Sequence, residues 1–264
     1  MFWWTVLILF TVACVWLFTT VAKEKKRIER KELGGKYNFS AVLNTIPRVD
    51  VAVNKDAPKL KRQQGLASEF KIRGITKATP FNKVCDFVVI DLETTGIKTG
   101  GNRIIEFSAI RFSEFEPVDC ITQLIDPEME IPTDATAINN ITNDMVLGMP
   151  KFCEVADFIK EYIGKNAIVG HNIIFDLKHL YASGLDLSTH KLIYCTLELS
   201  RKKNKDLDSH KLDSACEHLG IYREESHRAL SDCLATAAIY AAMLSEIMPD
   251  QETIQDFLNK LKEN

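Results

Sequence analysis

Four carboxylates stand where carboxylates are expensive. Asp91 and Glu93 close an unbroken β-branched and aromatic run, Phe87-Val-Val-Ile90, and Thr94-Thr95-Gly96 follows at once. Side chains alternate across a strand, so both acids project from one face at its C-terminal end. Apolar residues of both parities precede them, the pattern of a central strand covered on both faces. Like charges held that close repel unless a cation lies between them. Asp176 follows the apolar run Ile173-Ile174-Phe175 at a helix start, and Asp232 shares a helical face with Ala235, Ile239 and Ala242. An Asp on an apolar face is costly unless it is paired or bound to metal. Several carboxylates with no His or Cys ligand among them suit Mg²⁺ or Mn²⁺. Two such ions about 4 Å apart can clamp the attacking and leaving oxygens of an in-line phosphoryl displacement. His227, five residues before Asp232, is a candidate base. A helix cap or a satisfied core histidine is the alternative for a lone His there.

These acids need a scaffold to bring them together. Strands are expected over 103–112 and 118–125, which with the first strand make an antiparallel meander. A short helix begins after Thr142 as N-cap, and 152–163 has the spacing of an amphipathic helix. Residues 167–170 form a buried strand leading into His171-Asn172 and the helix that carries Phe175 and Asp176. A strand at 192–195, a helix over 211–219 closed by Gly220, an Ala-rich helix from His227 to about Glu246 and a last helix at 251–261 complete the chain.

Composition bounds the rest. The chain has 264 residues, 46% hydrophobic and 26% charged, with a net charge of −3. That figure hides an asymmetry: residues 23–77 hold 15 Lys/Arg against 6 Asp/Glu, so the remainder is acidic. An acidic globular part argues against wholesale wrapping of a nucleic-acid backbone, while leaving short, metal-mediated contact open. Seven scattered cysteines without CxxC or zinc spacing fit reduced thiols.

Residues 2–22 contain no charged side chain and would span about 30 Å as a helix, the thickness of a bilayer's hydrocarbon core. Trp3 and Trp4 mark one end, and Lys23-Glu-Lys-Lys-Arg27 follows the other. No positive stretch precedes the run, which weighs against a cleaved signal peptide. The expectation is a single-pass anchor at 1–22 contacting the lipid bilayer, a basic juxtamembrane linker at 23–83 and a cytoplasmic globular domain at 84–264. The linker reads most simply as a solvated tether, with lipid headgroups or nucleic acid as its alternative contacts.

Three motifs, Asp91-Leu-Glu93-Thr-Thr-Gly96, Gly170-His-Asn-Ile-Ile-Phe-Asp176 and His227-Arg-Ala-Leu-Ser-Asp232, occur in order. Together they resemble the exonuclease motifs of the DEDDh superfamily, most closely its DnaQ-like branch, which includes the proofreading epsilon subunit of bacterial DNA polymerase III. The likeness covers about 84–243 and extends to the flanks Asn102-Arg-Ile-Ile-Glu-Phe and Ser209-His-Lys-Leu-Asp213. It implies an α/β fold with a ribonuclease-H-like mixed sheet of about five strands flanked by helices, here preceded by one transmembrane helix.

The resemblance also implies roles. Asp91, Glu93 and Asp232 would hold one Mg²⁺ or Mn²⁺ ion, Asp91 and Asp176 a second, and His227 would be the general base. Thr94, Thr95, Gly96 and Ile97 would cradle the terminal nucleotide, with Asn172 and Phe175 in the same groove. The implied activity is metal-dependent 3′–5′ exonuclease action on single-stranded DNA or RNA. The membrane segment is not a usual part of the family, and the expected place at the cytoplasmic face of a bacterial inner membrane rests on residues 2–22 and the basic stretch after them. Alternatives are a proofreading subunit held by a polymerase and a catalytically silent module that binds nucleic-acid ends; a homodimer partner is also open. Asn139-Asn140 stands where many members have His-Gly, which puts sugar or base contacts in doubt, and Cys195 precedes Thr196 where Asp is common. Glu106 reads as an ion-pair or surface residue, and His210 and His218 as structural.

Overall fold

The computed structural model describes residues 37–38, 40–61, 63, 70–222 and 228–262. Its sheet is built from β1 (Phe87–Thr94), β2 (Ile104–Ser113), β3 (Glu116–Leu124), β4 (Ala167–Gly170) and β5 (Ile193–Cys195), ordered β3-β2-β1-β4-β5. The first three strands pair antiparallel, whereas β4 and β5 run parallel to β1. The β-branched run therefore forms the central strand. Its two parities feed two cores: Phe87 and Val89 pack on one face, and Val88, Ile90 and Leu92 on the other.

Helices cover both faces: α1 (Thr133–Asn139), α2 (Asn143–Val146), α3 (Phe152–Ile163), α4 (Ile174–Ala182), α5 (Thr196–Lys203), α6 (Leu212–Leu219), α7 (Ala229–Ile247) and α8 (Glu252–Lys260). Val155, Ile159, Leu177 and Leu180 of α3 and α4 meet the Val88 face. Leu199, Cys216 and Phe257, from α5, α6 and α8, join α7 against the Phe87 face. Helix α7 runs through the middle of that second core. Among the described residues it is long and apolar enough to cross a membrane, but 83% of its apolar window is buried inside the domain. The expected span at 2–22 lies outside the described residues.

Sequence periodicity did not point to α1 or α5. Each is a single short element whose polar residues dilute any apolar stripe. The expected N-cap of α2 is present, with Thr142 accepting from the Met145 amide, and Gly220 ends α6 in the left-handed conformation.

Parts of the expected linker lie directly on the sheet. Val49 donates its amide to Cys120 of β3, which in turn donates to Pro47, and the Arg73 amide donates to Ile193 of β5. These are the two outer strands, so the segment supplies partners to both otherwise open edges. Over these residues the chain is not a solvated tether.

Candidate active site

The site forms where the sheet splits. Strand β4 pairs with β1 only as far as Val89↔Val169, so beyond that point the β1 amides on that side need other partners. Asp176, in the first turn of α4, supplies one: its Oδ1 accepts the Leu92 N–H at 3.1 Å. The crevice beyond the carboxyl ends of parallel strands is where open α/β sheets place their ligands.

Asp91 and Glu93 lie on the Phe87 face, half-buried, and Asp232 comes down on them from the first turn of α7. Carboxylate oxygens of these three residues lie within 4.8 Å of one another. Asp176 and Asp232 are 3% and 6% exposed, so neither is a solvated surface acid. Burial, followed by the charges of Asp176, Asp232 and Glu93, holds the Asp91 carboxyl well above the usual carboxylate range. Glu93 is pushed up to about 8, first by burial and then by Asp232 and Glu106, with the Asn139 amide and Arg228 pulling the other way. Burial likewise raises Asp176, against the opposing pull of its own amide and that of Leu92. An oxygen-only, over-charged donor set of this kind fits a divalent cation such as Mg²⁺ or Mn²⁺.

The turn after β1 is fixed from within. The Thr94 hydroxyl donates to the Gly96 carbonyl at 2.8 Å, and the Thr95 hydroxyl accepts the Arg103 amide at 2.9 Å. Both threonines are buried, so their hydroxyls serve the turn, and main-chain groups are what this loop can offer a ligand. Gly96 has φ +152°, and a Cβ there would lie 2.6 Å from the Asn102 amide nitrogen. No side chain fits. Ile97 is 83% exposed at the lip. Asn172 is exposed with φ 60°, and Phe175 is half-buried. His227 lies outside the described residues.

Several residues around the acids were not assigned to the site on sequence. Glu106 is 2% exposed and pairs with Arg228, so it is an ion-pair residue but not a surface one. Asn139 is buried, donates to the Thr94 carbonyl at 3.5 Å and hydrogen-bonds Glu93. Asn140 ends α1 with φ 59°, the left-handed conformation for which a Gly in the His-Gly pair would serve. His179 sits behind Phe175 with ring centroids 4.5 Å apart, at the i, i+4 spacing that makes helical neighbours. Register and helical spacing carried those signals; their burial did not show. His171 and His210 are structural: the His171 ring bridges Thr196 and the His210 carbonyl at 2.9 Å each, and His210 meets Ser200.

Known proteins resemble this chain in sequence and fold. The Exonuclease family model RNase_T matches residues 88–240. The PolC-type DNA polymerase III of Clostridium perfringens is 35% identical over 156 residues, and that of Latilactobacillus sakei 34% over 173. These stretches are 58% and 64% of this chain but only 11% and 12% of those much longer proteins. Among solved structures, Exonuclease X in complex with 5′ overhanging duplex DNA superposes with a TM-score of 0.52 at 26% identity, covering 65% of this chain and 99% of that one. Escherichia coli Exonuclease I in complex with a dA16 oligonucleotide gives 0.53 at 21% identity over 65% of this chain and 42% of that one, a likeness of fold. Because the family model spans all four strand-end and helix-start acids that the fold draws together, the chain belongs to the RNase_T exonuclease family.

Proposed function

We propose that this protein hydrolyses nucleotides from the 3′ end of single-stranded DNA or RNA, at the cytoplasmic face of a membrane to which residues 2–22 tether it. The convergence of Asp91, Glu93 and Asp232 within 4.8 Å, with Asp176 docked on the next amide, carries the reading. Asp91, Glu93 and Asp232 would hold one Mg²⁺ or Mn²⁺ ion, and Asp91 with Asp176 a second. Such ions supply charge neutralisation and Lewis acidity at a phosphodiester. The chain's own residues do the rest. His227 takes the proton from the attacking water, Ile97 and Phe175 hold the last base, and the main chain of Thr94–Ile97 fixes the terminal sugar.

Digestion by the full chain of matched DNA and RNA oligonucleotides, labelled at either end, tests this in Mn²⁺. A 5′-labelled strand should shorten stepwise from its 3′ end, and Asp91→Ala should leave it intact. Continued digestion by Asp91→Ala would sink the reading. For the tether, alkaline extraction should leave the full chain in the membrane fraction and release a chain lacking 1–22.

A second reading rests on the PolC relatives: the same chemistry used beside a DNA polymerase. Recovery of a polymerase with the chain from detergent-solubilised membranes would favour it.

A further inference from the structure

The segment before Val84 helps to wall a cavity of about 210 Å³. Its other walls are the start of β2, the residues after β3, the first turn of α3 and the end of α4, and Lys59 with Leu60 closes the remainder. Those two residues are held in place. The Asn54 amide donates to the Glu154 carbonyl at 2.8 Å, and the Lys55 ammonium lies 3.4 Å from the Glu154 carboxylate. Leu60 packs so closely on Gly184 that a Cβ added there would lie 2.6 Å from the Leu60 Cβ. Gly184 also has φ +100°, which suits glycine, so the turn after α4 admits Leu60 and with it Lys59.

The charges of the cavity are not balanced. Asp126 accepts the Glu128 amide at 2.8 Å, and Glu128 pairs with Lys151 at 2.6 Å, so both acids in the wall are engaged. Lys59 and Arg103 also line it, and among the described residues neither forms an ion pair; the Arg103 guanidinium reaches the Gly101 carbonyl, at 3.4 Å. A planar fork and a compact point charge, both without counter-ions, suit a phosphate. The volume lies below the roughly 300–1,000 Å³ of sites that enclose a whole ligand, which favours one charged group over an entire nucleotide.

Its position identifies the phosphate. The Thr95 amide donates to the Arg103 carbonyl at 2.9 Å, and the Arg103 amide donates to the Thr95 hydroxyl at 2.9 Å. The cavity thus adjoins the loop that the nuclease reading gives to the terminal nucleotide. Under that reading the scissile phosphate lies at the acids, and every other phosphate of the strand is on its 5′ side. We propose that Lys59 and Arg103 form a subsite for one of those backbone phosphates. The proposal rests on the nuclease reading above. It gives a segment outside the family match, which spans residues 88–240, a share in holding the substrate.

The test measures Kd of the full chain for a 5′-labelled oligonucleotide, by anisotropy in Ca²⁺ over a range of salt, beside competition by inorganic phosphate. Lys59→Ala should weaken binding about threefold to tenfold whatever the base sequence. It should also make the fall of log K with log salt shallower by about 0.7, the loss of one phosphate contact on a single strand. Arg103→Ala should do the same, and Lys59→Arg should keep the parental slope. An unchanged slope in Lys59→Ala would overturn the proposal; if competition by inorganic phosphate weakened at the same time, the cavity would take a free phosphate instead. Should Arg103→Ala melt early, Lys59→Ala decides, because Lys59 is exposed. A parent that binds the oligonucleotide but never shortens it in Mn²⁺ would refute the nuclease reading and still leave the subsite to be judged on the slope. One that does neither refutes both.

Discussion

Glu106 stands directly across the β1–β2 ladder from Glu93, and it holds the first turn of α7. Its Oε2 accepts the Ala229 N–H at 3.2 Å, and its Oε1 lies 3.3 Å from the Arg228 guanidinium. Two facing acids thus do different work: Glu93 joins the cluster, and Glu106 fixes the helix that delivers Asp232. Glu106→Ala leaves the Ala229 N–H and the Arg228 cation without their acceptor. It should cost about 2 kcal/mol of stability and lower kcat about tenfold or more as Asp232 shifts. Glu106→Gln retains an acceptor and should be milder in both. Denaturant melts paired with kinetics check this; parental stability in Glu106→Ala would refute the bracing role.

Asp91→Asn should separate catalysis from folding. It removes the charge that repels Asp176, Asp232 and Glu93 while preserving shape. Digestion should fall to background, while the metal-free protein should gain roughly 1 kcal/mol or more of stability. A destabilised Asp91→Asn would mean that the repulsion is already compensated.

The pH dependence follows from Glu93, which titrates at about 8 when folded against an ordinary 4.5. Between those values the folded chain holds a proton that the unfolded chain has released, so metal-free stability falls as pH rises. The penalty is absent below about 4.5, grows through the window and is complete above about 8. With a chelator, melting temperature should drop from pH 5 to pH 8, by about several degrees; Mn²⁺ should flatten that trend. An equally steep drop with Mn²⁺ present would remove the acids as its cause.

Asn139 and Asn140 divide one task. Asn139 ties Glu93 to the Thr94 carbonyl and accepts the Ile141 amide at 3.0 Å. Asn139→Leu should cost about 1–3 kcal/mol through orphaned polar groups and reduce activity. Asn140→Gly, by contrast, should be neutral or mildly stabilising, because φ 59° suits glycine. Thermal melts of the two variants distinguish the roles; equal effects would contradict the division.

The sheet edges give a prediction about boundaries. A chain beginning at Val84 lacks the residues that pair with Cys120 and Ile193. It should melt lower and self-associate more than one beginning at residue 37, because two strand edges open. Size-exclusion chromatography at increasing concentration measures this, and identical behaviour would show the edge cover to be dispensable.

Much of this was legible in the sequence. Strand alternation put Asp91 and Glu93 on one face, the 3.6-residue period put Asp232 on the buried face of α7, and both parities of Phe87–Ile90 marked a central strand. These are local patterns, set by the backbone geometry of single elements. What lay beyond them were the partners of polar groups: Asp176 on the Leu92 amide, Glu106 on the first turn of α7 and Asn139 on Glu93. A polar residue next to apolar ones looks alike whether it meets water or a buried amide from a distant strand.

By itself the sequence determined which residues could do chemistry and which elements carry them, because periodicity and charge are written residue by residue. Only the tertiary structure decided that β4 leaves β1 after Val89, opening the gap that Asp176 fills, and that the segment before Val84 closes both sheet edges. Those outcomes depend on register and packing between segments far apart in the chain, where one residue of slip changes every partner.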